Sequence, residues 1–306
     1  MPARLLPWLG LLTLAAVPRM TDLNHVVFQG DEAQDSAMIR HMVETGRLVQ
    51  AGMLNSIGTV NLPLFDYLML PPFALSPDPR VATAYVALLN VVAVLVTFAF
   101  TRRAFGDTAG IIAAALFALA PWPVFFSRKI WPPYLIVPLA ALCLYALLRA
   151  RQGDRRAPWW TACAIASFLW VCQLHPVALL EAPTFALAGP RLWRRLRAGP
   201  LIGGILVGTA PAAPFLVYDA GRGWESIRTY LTAPRASPVV SGDSIHWSLL
   251  NVTGFDTLQY AGVIFAKFTP DVDAFAALER LATALFVAAT AWACIACILG
   301  FRPKVG

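Results

Sequence analysis

The stretch RVATAYVALLNVVAVLVTFAFT (80–101) carries no charge after its leading arginine and ends against Arg102-Arg103. At about 1.5 Å per residue it makes a helix long enough to cross the ~30 Å hydrocarbon core of a bilayer. Further apolar runs, bounded by charges or by Pro and Gly, lie at 5–18, 108–126, 131–149, 158–175, 177–190, 200–217 and 281–301. Together they predict an all-α polytopic membrane protein with about eight transmembrane helices. Composition agrees. The 306 residues are 58% hydrophobic and 13% charged, with a mean hydropathy of +0.63, whereas soluble domains carry about 25% charged residues. These totals exclude a collagen, a disordered tail, a disulfide-stapled secreted domain and a water-soluble enzyme.

Two runs are short. Residues 5–17 lack the small-x-small site of a cleaved signal peptide at Val17-Pro18-Arg19, and are compatible with a start further upstream. The run 177–190 contains Glu181 and Pro183, which predicts a broken helix among others or along a wet cavity.

The net charge of +7 is distributed by topology rather than for nucleic acid. With an inside amino terminus and alternating spans, the inner segments hold thirteen cations against two acids, and the outer ones eleven against fourteen. That is the positive-inside pattern, and it predicts a multi-pass protein of the plasma (inner) membrane with both termini cytoplasmic. Cys143, Cys163, Cys172, Cys294 and Cys297 all lie in apolar runs, so a disulfide framework is not expected and Cys294-x-x-Cys297 reads as packing.

Two segments exceed turns, the outer loops 19–79 and 218–280, and long loops among tight ones are where function concentrates. In the first, Gly30-Asp31-Glu32-Ala33-Gln34-Asp35 opens a helix with Met38, Ile39, Met42 and Val43 as its apolar face. Gly46 or Gly52 is its stop. Such a helix is expected to lie amphipathically in the interface. Asp31 reads locally as an N-cap with Gln34 as capping-box partner, and Glu32 as a complement to the helix dipole. The pattern Gly199-x3-Gly203 and Gly204-x3-Gly208 predicts close helix packing. In the second loop, Asp271-x-Asp273 reads as an accidental match to a metal-binding DxD, Asn251-Val-Thr253 fits a glycosylation sequon, and Trp224, Tyr230, His246, Trp247 and Tyr260 suit either sugar faces or an interfacial lid.

The order of motifs resembles a known family. A short first span is followed by Asp31-Glu32 heading a helix, then LPLFDYLMLPPF (62–73) and RVATAYVALLNVVAVL (80–95). After these come the FGDTAG…WPPYLIVPLAALCLYALL pair (105–148) and LWVCQLHPVALLEAP (169–183). This is similar to the GT-C superfamily of integral-membrane glycosyltransferases, near its protein-mannosyltransferase and aminoarabinose-transferase branch (glycosyltransferase family 39-like). The resemblance covers roughly residues 5–217. It divides the chain into a catalytic module at 1–217 (first outer loop 19–79), a lid or acceptor region at 218–280, and a last helix with cytoplasmic tail at 281–306.

The resemblance implies transfer of a sugar from a polyprenyl-phosphate donor to a lipid, glycan or protein acceptor at the extracytoplasmic face, with membrane lipids as further partners and no nucleic acid. It implies Asp31 as catalytic base, with Glu32 able to exchange roles. Arg128 and Lys129, two cations at an outer turn, read either as headgroup anchors beside aromatic residues or as the grip on the donor phosphate. His175 reads as a hydrogen-bonded interfacial residue or a donor contact, and Glu181, an acid inside a span, as a functional group paired with His175 or Arg128 or as a protonated, buried acid. No residue spacing compels a metal, and the outer acids are candidates for Mg2+ or Mn2+. The competing reading is a non-catalytic or degenerate scaffold that binds or transports lipid.

Overall fold

The computed structural model describes residues 5–26, 28–55, 58–153, 155–187 and 197–232, with positions 284 and 288. The chain divides into two compact units, 1–118 with 125–234, and 119–124 with 235–306. The described part of the first is helical, with one isolated antiparallel bridge, Leu54 to Val60. The expected last span at 281–301, Cys294-x-x-Cys297, Asp271-x-Asp273, Asn251-Val-Thr253, His246, Trp247 and Tyr260 lie outside the described residues.

Among the described residues, four helices are long and apolar enough to cross a membrane, over Pro79–Phe105, Pro133–Gln152, Ala157–Leu174 and Ala198–Gly221. They correspond to four of the runs read from the sequence. We label the first three α5, α8 and α9. The fourth bends at the 3-10 turn Ala210–Ala212, which divides it into α11 (Ala198–Thr209) and α12 (Ala213–Gly221). Pro211 within that turn has no N–H to give the ladder. Leu6, Leu88, Leu116 and Leu206 stand exposed, an arrangement that costs nothing in hydrocarbon and much in water. The protein is an integral membrane protein.

The short runs do not form full spans. Helix α1 (Leu6–Met20) has 15 residues, roughly 22 Å. The run 108–126 is interrupted: α6 covers Asp107–Leu119 and α7 restarts at Pro121–Phe126, since proline suits the first turn of a helix but not its interior. The described part of 177–190 is a 3-10 turn, Pro176–Glu181, and a five-residue helix α10, Pro183–Leu187, broken at the two prolines as expected.

Packing follows the chain. Helix α1 lies against α5, where Leu11 and Ala15 join Val91, Val94, Phe98, Ala114 and Ala118 in one cluster. Helix α8 packs on both α5 and α9, and buried Asn90 of α5 donates to Tyr134 O at 3.2 Å. Helix α11 packs on α9 through half of the glycine pattern. A Cβ at Gly204 would stand 2.8 Å from Ala162 O and one at Gly208 2.6 Å from Leu169 Cδ1, while Gly199 and Gly203 face open space.

One buried side chain contradicts its sequence reading. Arg19, expected in the outer loop, is fully buried in the last turn of α1. It donates to Ala15 O, Ala118 O and Phe117 O at 3.1, 2.7 and 3.1 Å. The guanidinium thereby satisfies carbonyls that the end of α6 leaves without intrahelical donors.

Candidate active site

The first loop builds its site on α2, Gly30–Thr45. The capping differs from the sequence expectation. Gln29 is the N-cap, and its side chain takes the backbone N–H of Glu32 while Glu32 Oε2 accepts from Gln29 N at 2.9 Å. The reciprocal box therefore pairs residues 29 and 32 rather than 31 and 34. Gly46 ends the helix at φ +67°, a left-handed position where glycine pays no steric cost.

The buried face of α2 is also turned from the expected one. Glu32, Asp35, Ser36, Ile39 and Met42 are inside, whereas Val43 is exposed. Ile39 and Met42 join Leu64, Phe65 and Phe73 of the short helices α3 (Leu64–Leu68) and α4 (Leu70–Leu75), Met69 between them, and Val86, Ile130, Leu135 and Leu174. One turn toward the amino end, the same face carries acids. Side-chain polarity along this stripe changes because its partners change.

Glu32 is fully committed. Its second oxygen, Oε1, pairs with Lys129 Nζ at 2.9 Å with both side chains largely buried. Asp31, its neighbour, is exposed at the second position of the helix. Arg128 takes other partners, its Nη2 donating to Thr21 O at 2.8 Å and Asp22 O at 2.7 Å. It thus fastens the turn before α8 to the end of α1. His175 is exposed and caps the carboxy end of α9, its N–H donating to Val171 O at 3.1 Å. Glu181 is half-buried at the end of the 3-10 turn. Its carboxyl acts electrostatically on Cys143 and Cys172, while the loop acids act on one another. The structure therefore brings Glu32 and Lys129 together, leaves Asp31 exposed next to Glu32 in the chain, and sets Arg128 and Glu181 on other partners.

Two acids not singled out from the sequence lie next to this group. Asp35 and Asp66 are each 2% exposed and line one small cavity with Asn61 and Gln173. Burial pushes Asp35 up to about 7, the Asp31 and Glu32 charges adding to it. Burial pushes Asp66 up to about 8, with the Asp35 charge adding and a backbone hydrogen bond opposing. Asp35 had a signal in the sequence, standing one turn after Asp31 and one turn before Ile39. Asp66 also had one, as the lone charge in an apolar run. A larger cleft of about 290 Å³ opens beside this cavity. It shares Asn61 and Gln173 with it and adds Asn55, Thr59, Ser226 and Tyr230, the last two from α13, Glu225–Thr232. Among the described residues, no three His, Cys, Asp or Glu side chains are grouped to hold a metal.

Comparison with known proteins gives this arrangement a context. The family model for dolichyl-phosphate-mannose-protein mannosyltransferases matches residues 63–218. No curated protein sequence matches the chain. Among solved structures, it is similar to ArnT from Cupriavidus metallidurans in the apo state, at 19% identity and a TM-score of 0.60, over 93% of this chain and 53% of that one. It is also similar to the same protein bound to undecaprenyl phosphate, at 19% identity and a TM-score of 0.54, over 76% and 44%. The likeness is one of fold, and the chain spans about half the length of the structures it matches.

Proposed function

The chain belongs to the dolichyl-phosphate-mannose-protein mannosyltransferase family, and from that premise we propose that it is a membrane glycosyltransferase drawing its sugar from a polyprenyl-phosphate donor. The acceptor is a lipid, glycan or protein at the extracytoplasmic face. The ArnT structure with undecaprenyl phosphate supports the lipid class of the donor. Asp31 is the general base. It takes the acceptor's hydroxyl proton as the acceptor oxygen bonds to the anomeric carbon, while the bond from that carbon to the phosphate oxygen breaks and its electron pair leaves with the lipid phosphate. Negative charge then builds on the phosphate and needs fixed cations nearby. Lys129 and Arg128 supply them, and His175 and Glu181 are candidate contacts for the donor lipid.

The observation that carries this reading is the contrast between adjacent acids. Glu32 spends both oxygens on Gln29 and Lys129, which leaves Asp31, next to it in the chain, as the exposed carboxyl at this helix start. Glu32 accordingly acts as a positioning residue. The test is to incubate the purified protein with a panel of radiolabelled polyprenyl-phosphate sugars and follow release of the label. Asp31→Asn is expected to cut turnover by roughly 10²–10⁴-fold with unfolding unchanged. A folded preparation that turns over none of the donors would overturn the proposal.

A further inference from the structure

The cavity between α2, α3 and the end of α9 holds an unbalanced set of polar atoms. Asp35 Oδ2, Asp66 Oδ1 and Gln173 Oε1 are buried and accept no hydrogen bond, and all three side chains line the same space. The Gln173 amide is oriented by its nitrogen, which donates to Leu169 O at 3.1 Å and Gly208 O at 2.6 Å, so its oxygen is the end left over. Asp66 cannot retreat, because Gly52 lies against its other oxygen, where even a Cβ would come within 3.1 Å. The space measures about 10 Å³, room for one water-sized occupant.

With both acids ionised, the three unpartnered atoms at this cavity are all acceptors. A water has two hydrogens for these three oxygens, and a buried acceptor left without a partner is costly. A cation has no such shortage, and two carboxylates balance a double charge. Oxygen-only donors select a hard ion. We propose that Asp35, Asp66 and Gln173 bind a divalent cation of the Mg2+, Mn2+ or Ca2+ class. The ion ties α2 to α3 and to the outer end of α9, and so fixes the helix that carries Asp31 one turn away. Binding at this site does not depend on the transfer reaction.

The experiment uses the whole purified chain in detergent, stripped with EDTA and titrated with Mn2+. Bound Mn2+ is followed by its paramagnetic resonance, and thermal unfolding is measured in parallel with Mg2+ and Ca2+. We expect one tight site per chain and a Tm rise of roughly 5–10 °C at a hundredfold excess over Kd. Asp35→Asn and Asp66→Asn, which keep shape, should each abolish the site, while Glu44→Gln on the exposed side of α2 should leave it intact. No saturable Mn2+ signal, an unchanged signal in both Asn variants, or a Tm rise given equally by Na+ alone would overturn the assignment. Asn variants that are more stable than the stripped protein, together with no response to any divalent ion, would assign the cavity to a protonated acid pair instead.

Discussion

Lys129 Nζ lies 2.9 Å from Glu32 Oε1, and the pair joins the turn before α8 to the first turn of α2 with both side chains withdrawn from solvent. Two buried charges in this position stabilise little as a pair, because desolvation offsets their attraction, but removing one strands the other. Lys129→Met is expected to cost about 3–5 kcal/mol. Adding Glu32→Gln to that variant should recover part of the loss. Thermal unfolding of the wild type, the two single variants and the double variant closes the cycle, and strictly additive effects would show that the two groups do not interact.

Arg19 offers a second test inside the membrane domain. Its guanidinium serves three carbonyls from α1 and α6. Arg19→Met keeps much of the volume and removes every donor. A loss of roughly 2–4 kcal/mol in unfolding free energy is expected, with Arg19→Lys only partly restoring it because an ammonium lacks the planar fork.

The glycine pattern of α11 splits into a packed half and an idle half. Gly204→Leu and Gly208→Leu should push α11 off α9, since α9 atoms already stand closer than 3.0 Å to the would-be Cβ. Gly199→Leu and Gly203→Leu, which meet nothing, should leave detergent-solubilised yield and Tm almost unchanged. Equal damage from all four would contradict the packing described here.

The buried acids predict a pH dependence for the protein stripped of divalent ions. Asp35 and Asp66 titrate near 7 and 8 when folded and near 3.9 when unfolded. The folded chain therefore holds protons that the unfolded chain has released. This contribution to stability is complete below the unfolded value and is lost as pH rises through the folded ones. The groups around them are Asp31 and the Glu32–Lys129 pair. Unfolding measured from about pH 5 to 9 should show stability falling with pH, and Asp35→Asn with Asp66→Asn should flatten that slope.

Much of the fold was legible along the chain. The runs at 80–101, 131–149, 158–175 and 200–217 became helices because uninterrupted apolar length is enough to specify them in lipid. Gly46 was legible as a stop. Asp31-Glu32 was legible as a helix start, although the box closed two residues earlier, on Gln29. The buried face of α2 was legible at Ile39 and Met42 but not beyond them. Val43 was read as part of it and is exposed, while Asp35, not read as core, is inside, because the groups that share its cavity belong to α3 and α9. The interruption near residue 120 was not read from the run 108–126, although Pro121 and Pro123 stand in it and proline does not continue a helix interior.

By itself the sequence determined that this is a helical protein of the bilayer, where its long spans lie, and which loop carries acids at a helix start. Those properties add up residue by residue, as hydropathy and turn chemistry do. Only the tertiary structure decided which acids are buried, which cation each one meets, and that Arg19 belongs to the interior. A buried charge is tolerable only next to its partner, and partners as far apart in sequence as Glu32 and Lys129 become neighbours through folding alone.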